Sequence, residues 1–180
     1  MTGHAGLAGT QTILKENREI LLSRFSKSFV DSIPVIDPEA EASRAKSIIK
    51  KRGDVPLFEA EKDGIFAALW ELGELEGCGM RIDLTAIPIL QETIEASDCM
   101  DINPYEDDCT GSLIFIQNGE AADLMMSELE EDGIHAAVIG YETKDKDRLL
   151  IKGKERRFLT PASRIEAEKK QRETFRCKTR

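Results

Sequence analysis

Apolar and polar positions alternate along this chain in two rhythms, one of helices and one of short strands, and they interleave from end to end. After a lead in which Gly3, Gly6 and Gly9 fall at every third position, Ile13, Leu14, Ile20, Leu21 and Leu22 are spaced for an amphipathic helix over 11–25, with Thr10 placed to cap it. A shorter helix is predicted around 27–32 and ends before Pro34. Asp37 followed by Pro38 reads as an N-cap with proline at the first helical position, for a helix that reaches Lys51 and stops at Gly53.

Downstream the strand rhythm enters. The pattern predicts a strand over 55–59, a helix over 63–75, a strand over 80–84 after a turn at 77–79, and a short helix over 88–96. The run Leu113–Ile114–Phe115–Ile116 is continuously apolar and predicts a buried strand over 112–117. A helix over 119–132 ends at Gly133, and 136–141 reads as another buried strand. Segments 149–152 and 156–159 flank Gly153–Lys154 as a hairpin, although Arg156 and Arg157 weaken its second arm. A last helix is expected from Pro161 or Ser163. Interleaved helices and strands with a hairpin predict an α+β (mixed α/β) fold, a mixed β-sheet packed with helices. No internal repeat is present.

Length divides this into a glycine-rich lead (1–10), a helical segment (11–53), a core domain (54–160) and a terminal helix with a basic tail (161–180). A chain of 180 residues with 33% charged residues and net charge −9 describes an ordinary globular protein. That charge argues against nucleic-acid binding, which needs clustered cations. The exception is the tail, with Lys169, Lys170, Arg172, Arg176, Lys178 and Arg180, which reads as a solvated helix face. No apolar run is long enough to span a membrane and no signal peptide is evident, so a cytoplasmic protein is expected.

Candidate chemistry is thin. Cys78, Cys99, Cys109 and Cys177 form no Cys-x-x-Cys pair, and His4 and His135 lie far apart in sequence. No metal site is expected, and the thiols are expected to be reduced. Glu106, Asp107 and Asp108 form an acidic run that reads as solvated surface, with a cation site as the weaker alternative. His135 reads as a surface or hydrogen-bonded histidine.

Three segments together resemble a known family. They are Phe58–Leu72 with Gly79–Leu84, Ile102–Tyr105 with Thr110–Ile114, and Glu131–Gly140. They look like the C-terminal domain of the aminoimidazole-ribonucleotide (AIR) synthase superfamily, the PurM-like proteins, on the branch of the hydrogenase-maturation carbamoyl dehydratases (HypE-like). The resemblance implies a partly ferredoxin-like mixed sheet. It also implies an ATP-binding half upstream, which places Met1 at the junction of the two domains.

In the family, a strand-to-helix turn close to His-Asp-Val-Ser/Thr-Asp/Glu-Gly-Gly faces the cleft between the halves. Here the matching positions are Phe58, Glu59, Ala60, Glu61, Lys62, Asp63 and Gly64, and only Gly64 matches outright. Asp63 in place of the first glycine removes backbone freedom, and Lys62 reverses a charge where metal-bound nucleotide would want an anion. The packing residues after the turn, Ile65, Phe66, Leu69, Trp70 and Leu72, fit the family pattern. A scaffold with a rewritten polar turn implies no catalytic residue.

The resemblance also supplies candidate ligand-binding positions: Glu59, Asp63, Gly64, Asn103, Thr110, Gly111 and Ser112. Tight-turn roles for the last three remain the simpler reading. Gly3, Gly6, Gly9 and Thr10 match the segment joining the two family domains and are candidates for an interdomain hinge. Cys177, followed by Lys178, Thr179 and Arg180, matches the terminal carbamoyl-carrying cysteine of that branch poorly.

The expectation is a stand-alone, non-catalytic domain that acts through a homodimer or another protein partner, with no cofactor of its own. Two alternatives stay open. One is the C-terminal half of a two-chain ATP-dependent enzyme, with ATP and Mg supplied by a separate ATP-binding partner. The other is a small-ligand-binding domain.

Overall fold

The computed structural model describes residues 1–165, and the basic tail and Cys177 lie outside the described residues. Helices α1 (Leu7–Glu16), α2 (Arg18–Arg24), α3 (Lys27–Ser32) and α4 (Pro38–Lys51) come first. They are followed by β1 (Leu57–Glu59), α5 (Gly64–Glu76), β2 (Gly79–Asp83), α6 (Gln91–Cys99), β3 (Leu113–Phe115) and α7 (Gly119–Glu131). The series ends with β4 (Gly140–Thr143), β5 (Arg148–Lys152) and β6 (Glu155–Phe158), and a helical turn opens at 162–165.

Local chemistry sets many of these bounds. Asp37 accepts a hydrogen bond from Ala40 N–H at the start of α4, and Asn118 does the same for Ala121 N–H at α7. Helix α5 ends on Gly77 in the left-handed conformation. The helix expected over 11–25 is instead two helices, broken at Asn17 (φ −128°), and α1 starts at Leu7 rather than after Thr10. Of its apolar positions, Ile13 and Leu21 are buried, whereas Ile20 and Leu22 are exposed.

Among the described residues, six strands form two sheets. In the larger, ordered β4-β2-β5-β6, β2 runs parallel to β5 and antiparallel to β4, and β5–β6 is the expected hairpin. In the smaller, β1 pairs antiparallel with β3. The buried strand expected over 136–141 is displaced: ladder pairing begins at Gly140, and Ala136 makes only an isolated bridge to Thr2.

That bridge makes the first residues structural rather than loose. Thr2 N–H donates to Leu113 O, Gly3 N–H to His135 O, and Ala137 N–H to Met1 O. Met1 N donates to Ala137 O at 2.9 Å. Residues 1–3 therefore lie as a strand between β3 and 135–137.

Helix α5 is the spine of the fold. Ile65, Phe66, Ala67, Ala68, Leu69 and Leu72 are buried in one cluster with Met80, Ile82 and Leu150 of the larger sheet. Each large side chain so buried contributes about 1.5–3 kcal/mol. A second cluster joins α4 and α7 to Leu113, and a third packs α1–α3 on α6.

Candidate functional site

The turn between β1 and α5 and the loop 103–112 close on each other through backbone bonds. Ala60 N–H donates to Ser112 O, Cys109 N–H to Glu61 O, and Phe66 N–H to Tyr105 O. Gly64 sits at φ +82°, and a Cβ there would lie 2.5 Å from Tyr105 O. The Phe66 and Tyr105 rings stack above this contact, 5.1 Å apart.

The glycine lead packs onto the same loop. A Cβ on Gly3 would meet Ser112 Oγ at 2.9 Å, one on Gly6 would meet Pro104 O at 2.8 Å, and one on Gly9 would meet the Asp107 carboxylate at 2.1 Å. Three glycines at every third position thus lie against three different parts of loop 103–112. Gly6 and Gly9 also bracket the start of α1, and Gly9 N–H donates to Asp108 O. Thr10, inside α1 and fully buried, donates its hydroxyl to Gly6 O and bonds Thr93 Oγ1.

The candidate polar side chains point in different directions. Glu59 pairs with Lys46 of α4. Asn103 Oδ1 accepts from Tyr105 N–H, and Asp108 Oδ1 accepts from both Thr110 N–H and Thr110 Oγ1. Ser112 Oγ reaches His4 O at 3.4 Å. Gly111 (φ +97°) lies under Pro38, where a Cβ would clash at 2.6 Å.

Two separate depressions result. Gly3, Thr110, Gly111 and Ser112 line a small notch with His4 and Pro38. Gly9, Asp63 and Asn103 line a separate open recess of about 640 Å³, with Lys62, Asp101 and Glu106–Asp108. Among the described residues, no group of three or more His, Cys, Asp or Glu side chains is arranged to hold a metal ion.

Two features were invisible in the sequence. His4 and His135, distant along the chain, stack with ring centroids 4.9 Å apart, and burial followed by the His135 charge pulls the His4 pKa down. Cys109 accepts a hydrogen bond from Gly6 N–H at 3.1 Å, and its burial pushes the thiol up to about 12. That thiol is a structural acceptor rather than a nucleophile. No local signal could reveal either pair, since each joins the lead to a segment more than a hundred residues away.

The fold defined by this mixed sheet, its spine helix and the turn beneath loop 103–112 is that of the AIR-synthase-type (PurM-like) α+β proteins. Crystal structures of the hydrogenase maturation protein HypE share it. One superposes with a TM-score of 0.69 at 18% identity over 88% of this chain and 50% of its own. The E. coli HypE structure gives 0.70 at 20% identity over 88% and 47%. T. maritima PurL complexed with FGAR gives 0.58 at 16% identity, over 91% of this chain and 26% of PurL. The chain thus spans about half the length of the HypE structures it matches. No protein-family model and no curated protein matches it.

Proposed function

We propose that this chain is a non-catalytic PurM-like domain that works by binding another protein. The observation that carries this reading is the way the candidate polar groups are used. Glu59, Asn103, Thr110 and Ser112 are each bonded to the chain's own side chains or backbone, with Thr110 and Ser112 at one depression and Asn103 at another. General acid–base or nucleophilic catalysis needs groups that converge on one reacting atom. A HypE structure in complex with HypF has this fold as well (TM-score 0.52), which is consistent with a fold whose members bind proteins.

The test is phosphate release from Mg-ATP by the purified chain, run beside native mass spectrometry of the chain taken from its source. Absence of turnover together with a stable protein complex supports the reading. Magnesium-dependent turnover by the chain alone removes it.

One observation favours a second reading, the C-terminal half of a two-chain ATP-dependent enzyme. Two HypE structures match over 88% of this chain but only about half of their own length, and one solved in complex with ATP matches over 68% of this chain and 41% of its own. Under that reading the chain co-purifies with a protein that binds ATP, and turnover appears only in the mixture.

A further inference from the structure

The larger sheet commits only one of its faces to the core. Met80, Ile82 and Leu150 belong to the cluster around α5, and Arg148 and Arg157 lie over Trp70 and Phe66 of that helix. Side chains alternate along a strand, so Arg81 and Asp83 of β2, Leu149 and Ile151 of β5, and Arg156 and Phe158 of β6 stand on the opposite face. Tyr141 of β4 joins them, because it lies opposite Arg81. Leu149, Ile151, Tyr141 and Phe158 enter none of the hydrophobic clusters formed among the described residues. Tyr141 and Phe158 are 67% and 68% exposed.

The strand registers set these side chains in two rows. One reads Tyr141, Arg81, Leu149, Phe158 from β4 to β6, and the next reads Asp83, Ile151, Arg156 from β2 to β6. Leu149 and Ile151 thus form an apolar centre on β5, with Arg81 and Asp83 one strand away on one side and Phe158 and Arg156 one strand away on the other. Arg81 is already held by the Asp145 carboxylate and by Asp147 O. Arg156 makes no ion pair among the described residues. The Asp83 carboxylate serves the turn at Thr85 and likewise makes no ion pair there.

An exposed apolar face alone names no occupant. Here the charges do, because the face is complementary to itself. A two-fold axis along β5 lays β2 of each copy over β6 of the other. Leu149 and Ile151 then meet their own counterparts, Asp83 meets Arg156, and Phe158 covers the fixed guanidinium of Arg81. Strands ~4.8 Å apart in sheets stacked ~10 Å apart keep an Asp–Arg pair within reach. We propose that two copies of this chain pack their larger sheets face to face in this way, as an aligned sandwich. This goes beyond the protein-binding reading and does not depend on capture of a different protein.

The test is sedimentation velocity of the whole chain over a concentration series. The expected result is a dimer whose Kd rises at least ~10-fold in Asp83→Arg and in Arg156→Asp, and returns toward the wild-type value when the two are combined. Leu149→Glu should give a monomer, because it places an unpaired charge at the centre of the contact. Circular dichroism and thermal melting verify that each variant folds. Should Leu149→Glu unfold, the charge reversals decide alone, since Asp83 and Arg156 are exposed.

A wild-type monomer at every concentration overturns the proposal. So does a dimer that the charge reversals leave unchanged, a dimer that survives in folded Leu149→Glu, or a double reversal no tighter than the single ones. A different protein that binds a monomeric chain through this face, and is lost with folded Leu149→Glu, also overturns it while upholding the protein-binding reading.

Discussion

Gly64 and Tyr105 touch backbone to backbone: a Cβ on Gly64 would stand 2.5 Å from Tyr105 O and 2.6 Å from Glu106 Cα. Neither contact atom can swing aside, because Tyr105 O also accepts Phe66 N–H and so ties the loop to α5. Gly64→Ala should therefore destabilise the fold by about 2–4 kcal/mol, from the left-handed backbone and the clash together. Urea unfolding of the variant checks this; a loss under ~0.5 kcal/mol would mean that the loop is free to move.

Gly73 makes a subtler prediction. In a helix interior, glycine to alanine normally stabilises by about 1 kcal/mol. Here a Cβ would come 2.2 Å from Arg148 Nε, and that guanidinium lies 4.5 Å from the Trp70 ring centroid and pairs with Glu74. Gly73→Ala should destabilise the wild-type protein and stabilise the Arg148→Ala variant. A double-mutant cycle by thermal melting, with Trp70 fluorescence as a second readout, tests the change of sign.

Cys109 should resist alkylation. With its thiol pushed up to about 12 and the side chain buried, it is almost entirely protonated at pH 8. Iodoacetamide followed by peptide mapping should modify half-buried Cys78 and Cys99 first, and Cys109 only when denaturant is added. Labelling of Cys109 in the native protein at the rate of Cys99 would contradict the geometry.

Stability should fall on acidification from pH 7 toward 5. The folded state holds His4 below its ordinary value of 6.5, so the unfolded chain binds the extra proton across that window and is favoured as pH drops. The Met1 amino group, pushed down by burial from 8.0 to about 5, acts in the same direction between those values. His4→Gln should flatten the pH dependence of Tm below 6.5 and leave the part due to Met1. An unchanged slope in that variant would remove His4 from the account.

Much of the fold was legible because its signals are local. Asp37–Pro38 starts α4 through the Asp37 side chain and the proline ring, and Gly153–Lys154 turns the β5–β6 hairpin. The misreadings are tertiary. Residues 11–22 carry a continuous apolar period, yet the chain breaks at Asn17 so that Ile13 and Leu21 can both pack with Ala96 of α6. The apolar run 136–141 reads as one strand, but Ala136 and Ala137 pair with the lead while Gly140 onward pairs with β2.

The candidate site was legible only as residue types. Spacing showed that Gly3, Gly6 and Gly9 permit close approach, but their neighbours Ser112, Pro104 and Asp107 lie about a hundred residues away. Likewise, nothing in the turn sequence shows that Glu59 is held by Lys46. Sequence thus named groups able to face a cleft, and the contacts show each bonded within the domain.

The threaded lead carries a consequence for how the chain acquires its shape. Met1 bonds to Ala137, a separation of 136 positions. Residues 1–3 must therefore wait, unpaired, until nearly the whole core has been synthesised. Closing so long a loop is slow and comes late in folding. Premature release of the nascent chain before residue 137 would leave Leu113 and its neighbours with an open edge, the kind of surface that chaperones shield and aggregates recruit.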